Sequence, residues 1–167
     1  MNNLLKLGED AAYLALDDAW TLIRDQDGEL PSGPLILSLA RWLAYQATQP
    51  LHRMSLHGVW LGPDDELDDL APWLYLVPMI ALDFPSFRDG RAYSQAYLLR
   101  TRMGWEGELR AIGDVLRDQL SHMRQCGFTS FAIREDKSAE DALKGLSGMS
   151  VLYGRSVIEP RPLFRRR

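Results

Sequence analysis

Met79-Ile80-Ala81-Leu82, Leu109-Arg110-Ala111-Ile112 and Ser130-Phe131-Ala132-Ile133 are three short apolar runs. Each ends in a charged loop: Asp83-Phe84-Pro85, Gly113-Asp114 and Arg134. After the first, Ser86-Phe87-Arg88-Asp89-Gly90 leads into a helical pattern from Arg91 to Met103, with Ala92, Ala96, Leu99 and Met103 on one apolar stripe. After the second, Leu116, Leu120 and Met123 recur at helical spacing, and Gly127 offers a left-handed cap. Strand, helix, strand, helix, strand predicts an α/β fold of repeated βα units with a mainly parallel sheet, since parallel neighbours need crossover connections. The spacing leaves an open sheet and part of a TIM-like barrel as alternatives. In either, the strand ends share one edge, where ligands bind.

Upstream, Leu35-Ile36-Leu37 and His57-Gly58-Val59-Trp60-Leu61 read as further strands. Between them Ser38 is placed to cap a helix carrying Leu39, Leu43 and Ala47, which Pro50 stops. Asp64 is placed to cap a short helix whose first turns hold Asp65, Glu66, Asp68 and Asp69. Carboxylates there complement the positive helix end, which accounts for them without a metal. Leu4–Leu7, Tyr13–Leu16 and Trp20–Ile23 are small strands or a hairpin, forming an N-terminal arm over residues 1–30. The α/β domain then runs over 31–154. Downstream, Ser138 and Asp141 form a capping box, and Met149–Tyr153 is a last strand candidate. Residues 155–167 make a basic tail ending Leu163-Phe164-Arg165-Arg166-Arg167, expected to be a solvated terminus.

At 167 residues the chain can bury a full core as one domain, and its 46% apolar and 25% charged residues suit an ordinary globule. Residues 1–90 carry 5 basic and 14 acidic side chains, residues 91–167 carry 14 and 9. The surface outside the tail is therefore acidic, and no nucleic-acid motif accompanies the arginines, so nucleic acid is not an expected partner. Cys126 is the only cysteine, which excludes an internal disulfide and a Cys-x-x-Cys pair. No apolar run is long enough to cross a bilayer, and the first residues lack a secretory pattern, so a cytoplasmic protein without a membrane partner is expected.

The polar strand ends are the candidate site. Asp83 and Asp114 are candidate proton-transferring carboxylates, provided burial raises their pKa. Arg88, Arg91, Arg117 and Arg134 could hold a planar or tetrahedral oxyanion through guanidinium forks, with backbone N–H groups past Gly90 and Asp114 as further donors. The structural alternative is that the aspartates brace loops and the arginines pair with them. His52, His57 and His122 show no metal-ligand spacing. No Gly-x-Gly-x-x-Gly follows a strand, and none of the three lysines (Lys6, Lys137, Lys144) stands in a phosphate-binding loop. The cofactor is thus unknown, a flavin included.

Ile80-Ala81-Leu82-Asp83-Phe84-Pro85, then Phe87 with Asp89-Gly90-Arg91, Tyr93-Ser94 and Leu98-Leu99-Arg100 resemble the signature of a bacterial domain family of unknown function. Gly107 to Leu120 and Arg124-Gln125-Cys126-Gly127-Phe128 extend the resemblance. Members of that family carry a label linking them, as oxidoreductases, to sulfite reduction, and are encoded beside the sulfite reductase haemoprotein. The resemblance implies an accessory role in sulfate assimilation with that haemoprotein as partner. Matching positions are Asp83, Asp89, Gly90, Arg91, Tyr93, Ser94, Gly113, Asp114, Arg117, Asp118 and Gln119. The label "oxidoreductase" fits the chain poorly, since it lacks cysteine ligands for an iron–sulfur cluster. A small-molecule enzyme or binder with an Arg/Asp oxyanion pocket is the alternative. Unpaired sheet edges would favour a homodimer.

Overall fold

Alternation along the strands sorts their side chains onto two faces, and the two faces differ in what covers them. The computed structural model describes residues 1–24, 28–50, 55–146 and 157. The strands are β1 (Leu4–Leu7), β2 (Ala12–Ala15), β3 (Thr21–Leu22), β4 (Leu35–Ser38), β5 (Gly58–Leu61), β6 (Met79–Phe84), β7 (Glu108–Gly113) and β8 (Ser130–Ala132). The helices are α1 (Leu39–Gln46), α2 (Leu67–Leu70), α3 (Arg91–Thr101), α4 (Leu120–Cys126) and α5 (Ala139–Leu146), with 3-10 turns at Ala71–Leu76 and Arg117–Gln119.

One sheet holds all eight strands, in the order β2-β1-β8-β7-β6-β5-β4-β3. From β3 to β8 neighbours are parallel, while β1 is antiparallel to both β2 and β8. The expected mainly parallel array of uniform βα repeats is corrected to this mixed sheet. The reason lies in the first fifteen residues: Gly8 to Ala11 closes a tight turn, so β1 and β2 can only pair antiparallel. The connections also differ in kind, from a Pro-Gly loop before β4 to an eleven-residue helix after β6.

Ile80, Leu82, Leu109, Ala111, Phe131 and Leu5 face the helices, where they meet Trp42, Ala96, Leu99, Leu120, Met123 and Ala142. Each buried aliphatic side chain contributes on the order of 1.5–3 kcal/mol. The opposite face carries a smaller cluster: Leu4, Ile36, Met79, Ala81, Ile112 and Ala132, closed by Met1, Trp20, Leu22 and Trp60. That face is concave. The Met1 ammonium, beside β1, donates to the carbonyl of Trp20, which enters β3 at the far edge of the sheet. The sheet curls enough to bring those segments together, yet among the described residues no ladder joins β2 to β3, so it stays open.

Gly127 ends α4 in the left-handed conformation (φ +107°) as its position predicts. Ser138 Oγ accepts from Asp141 N–H at 3.1 Å, one arm of the expected capping box. Two other caps differ. Ser38 holds the N-cap position of α1 without a capping bond from its side chain. Asp64 does not cap α2, whose N-cap is Glu66; its carboxylate faces Arg91 instead. The strand candidate Met149–Tyr153, and the basic tail apart from Val157, lie outside the described residues. Among the described residues no helix is long and apolar enough to cross a membrane.

Candidate functional site

Asp83, Gly113 and Arg134 come together at the C-terminal rim of the concave face. Asp83 is the fifth residue of β6 and, by alternation, shares the concave side with Met79 and Ala81. Its Oδ1 accepts from Arg24 Nη2 at 2.9 Å, and Arg24 in turn lies over the Trp60 ring, 4.9 Å from its centroid. Gly113 ends β7 with φ +89°, and a Cβ placed there would come within 2.7 Å of Asp83 Oδ1 and collide with the carbonyl of Phe84. Only glycine fits this approach. The turn lets Asp114 N–H donate to the Phe84 carbonyl at 2.7 Å and swings the Asp114 carboxylate toward the next loop.

Asp114 is a hub. Its Oδ2 accepts from the backbone N–H of Phe87 at 2.7 Å, and its Oδ1 accepts from Arg134 Nη1 at 2.6 Å. Gln119 Nε2 donates to the Phe87 carbonyl at 2.7 Å, so the Phe87 loop is held from both sides. The Phe87 N–H, with Arg134 beside it, holds the Asp114 carboxyl below its usual range. A depressed pKa makes a stable anion and a poor proton acceptor, which favours bracing over general-base chemistry. Arg134 also forks onto Asp136, through Nε at 2.6 Å and Nη2 at 2.9 Å.

The other arginines are engaged in the same way. Arg91 forks onto Asp89 and reaches Asp64, and Arg117 Nη1 donates to Asp141 at 2.9 Å. The N–H of Arg91 donates to Asp89 Oδ1, which takes one donor from the start of the helix after Gly90. Arg88 differs: its guanidinium lies over the Phe87 ring, 5.4 Å from the centroid. Tyr93 packs under the edge against Phe84 and His122. Ser94 and Asp118 are exposed. The sequence-predicted residues therefore divide. Asp83, Gly113, Asp114, Gln119 and Arg134 join around the rim and the Phe87 loop. Asp89, Gly90 and Arg91 face the Asp64 turn, and Arg117 faces α5.

Beneath the rim the concave face opens as a cleft of about 1110 Å³, whose lining includes Met1, Trp20, Leu22, Ile112, Ile133 and Arg134. Asn3, at φ +58°, clamps one side: its Nδ2 donates to the carbonyls of Ile133, Arg134 and Lys137, and its Oδ1 accepts from Ala139 N–H. Deeper, Arg110 is wholly buried, with both nitrogens of its fork on Asp18 at 2.8 Å and Nη2 on Glu108 at 2.7 Å. Ser130, Lys6 and the Met1 ammonium complete the network. Sequence reasoning did not single out Arg24, Asp18, Asn3 or Arg110. Arg110 carried a readable signal, because alternation puts it on the same strand face as Glu108 and Ile112, where a guanidinium needs a carboxylate.

The family model described as a bacterial protein of unknown function (DUF934) matches residues 58–164, from β5 through the whole rim. No curated protein matches the chain.

Proposed function

The chain belongs to the DUF934 family of bacterial proteins of unknown function, and from that premise we propose that it is an accessory protein of sulfite reduction that docks on the sulfite reductase haemoprotein in the cytoplasm. The resemblance of the Ile80–Phe128 stretch supplies the partner. One observation carries the mode of action: Arg88 apart, the arginines at and around the rim are held by the chain's own carboxylates, Arg134 by Asp114 and Asp136, Arg91 by Asp89, Arg117 by Asp141 and Arg24 by Asp83. A free oxyanion would have to displace those carboxylates. A protein surface need not, because it can meet the paired charges as a polar border around an apolar anchor. Phe87, 46% exposed on a loop fixed by Asp114 and Gln119, is such an anchor. Electron delivery and assembly of the haemoprotein are both compatible with that docking.

Co-expression of the tagged chain with the haemoprotein tests the proposal. A stoichiometric eluate with the haem absorbance spectrum is the expected result. A colourless eluate, together with haemoprotein activity indifferent to deletion of this chain, would remove the proposal.

A further inference from the structure

Phe87 does not line the cleft of the concave face, and the charges around that cleft differ from those of the paired arginines. Its lining joins the half-buried apolar side chains of Met1, Trp20 and Leu22 to the polar Asn2 and Asn3, with Ile112 wholly buried beneath. Two cations border it, and both are committed. The three hydrogens of the Met1 ammonium have three acceptors, Asp18 Oδ2 at 3.1 Å, the Asp18 carbonyl at 3.3 Å and the Trp20 carbonyl at 2.9 Å. Arg134 has both sides of its fork on Asp136 and its remaining nitrogen on Asp114. Glu135 also lines the cleft, is exposed, and has no ion pair or hydrogen bond from its carboxylate among the described residues. The uncommitted charge at this cleft is therefore negative.

We propose that the cleft binds a small organic cation, an ammonium carried on a flat apolar body, with the body against Trp20 and Leu22 and the ammonium toward Glu135. The apolar body gains by leaving water. The ammonium gains from the carboxylate and, over the indole face, from the ring quadrupole. An anion of the same shape meets neither, because the nearby guanidinium and ammonium are already neutralised. A volume of about 1110 Å³ holds more than a single ring, so a one-ring probe reports the charge rule and not the full occupant.

Phenethylamine and 3-phenylpropionate carry the same ring with opposite charge. Calorimetric titration of each into the full chain tests the proposal. The expected result is saturable binding of phenethylamine, up to roughly fivefold tighter than of the carboxylate, the range of one exposed ion pair. Glu135→Gln should bring the two probes to parity while leaving the thermal midpoint unchanged. Asn2→Trp, which places a large ring at an exposed residue of the lining, should abolish both. Equal or tighter binding of the carboxylate would overturn the proposal. So would no saturable binding of the amine, a preference that survives Glu135→Gln, or binding indifferent to Asn2→Trp.

Discussion

Arg110 and Asp18 meet fork to fork: two nitrogens face two oxygens, each pair 2.8 Å apart, with side-chain exposures of 0% and 1%. The pair ties the segment before β3 to the middle of the sheet. Removing one member leaves the other charge buried without its partner, which costs far more than losing a surface pair. Arg110→Leu is therefore expected to destabilise the fold by about 3–5 kcal/mol. Urea denaturation of the variant measures it, and a loss under about 1 kcal/mol would show that the network is not structural.

The same pair sets the acid limit. Burial alone would raise the Asp18 pKa, but the bonds to Arg110 and the Met1 ammonium outweigh it and hold the carboxyl at about 2. In the unfolded chain it returns to near 3.8. A depressed folded pKa gives stability that is complete above the unfolded value and lost as pH falls through the folded one. Asp18 then contributes about 2 kcal/mol at neutral pH, disappearing between about pH 4 and pH 2. Glu108 is shifted in the same direction, and burial there is likewise outweighed by Arg110. Comparing unfolding of the wild type and Asp18→Asn across that window should show the difference between them shrink.

Gly113 and Gly104 both have positive φ, +89° and +66°, but differ in what surrounds them. Gly104 has nothing within 4 Å of a Cβ, whereas Gly113 has the Phe84 carbonyl and Asp83. Gly104→Ala should cost roughly 1–2 kcal/mol for the left-handed backbone. Gly113→Ala should cost that plus roughly 1–3 kcal/mol for the collision. Equal midpoint shifts in chemical denaturation would contradict the close approach of β6 and β7.

Sulfate, sulfite and phosphate should give no saturable rise in Tm, because Arg91, Arg117 and Arg134 already hold carboxylates. A saturable rise that vanishes in Arg88→Ala would restore the oxyanion pocket, since Arg88 lies on a ring and not in a carboxylate fork.

Phe87→Ser should weaken capture of the haemoprotein by about tenfold or more, the scale of a central aromatic anchor. The variant's own stability should stay within about 0.5 kcal/mol, as for other exposed positions. Undiminished co-purification would move the docking surface elsewhere.

Elements whose signals are local were legible in the sequence. The β6 and β7 runs are short, apolar and end on charge, α3 and α4 show apolar stripes, and Gly127 marks its helix end. Arg134 and Asp114 could be assigned to one edge because parallel strands align their ends. What pairs with what could not be read. Arg24 meets Asp83 across 59 positions, and Asp18 meets Arg110 across 92. Nothing in the spacing of such residues encodes a curl that brings them together. Asn3 shows the same limit: its three carbonyl partners lie 130 or more positions away. Asp64 illustrates the reverse case, in which a local capping preference yields to a tertiary partner, Arg91.

The pairing of β1 with β8 has a consequence for how the chain is made. Leu4 lies opposite Ala132, so the N-terminal hairpin has no neighbour in the sheet until β8 has been synthesised. At the usual pace of translation that delay is on the order of ten seconds. During it β1 waits as an exposed apolar strand, while β3 to β7 can already assemble in the order in which they emerge. The loop closed by such a distant ladder is long, so its entropy must be met before the contacts reward it, and the pairing belongs late in folding. The nascent chain therefore passes through a half-built sheet that still lacks its N-terminal hairpin.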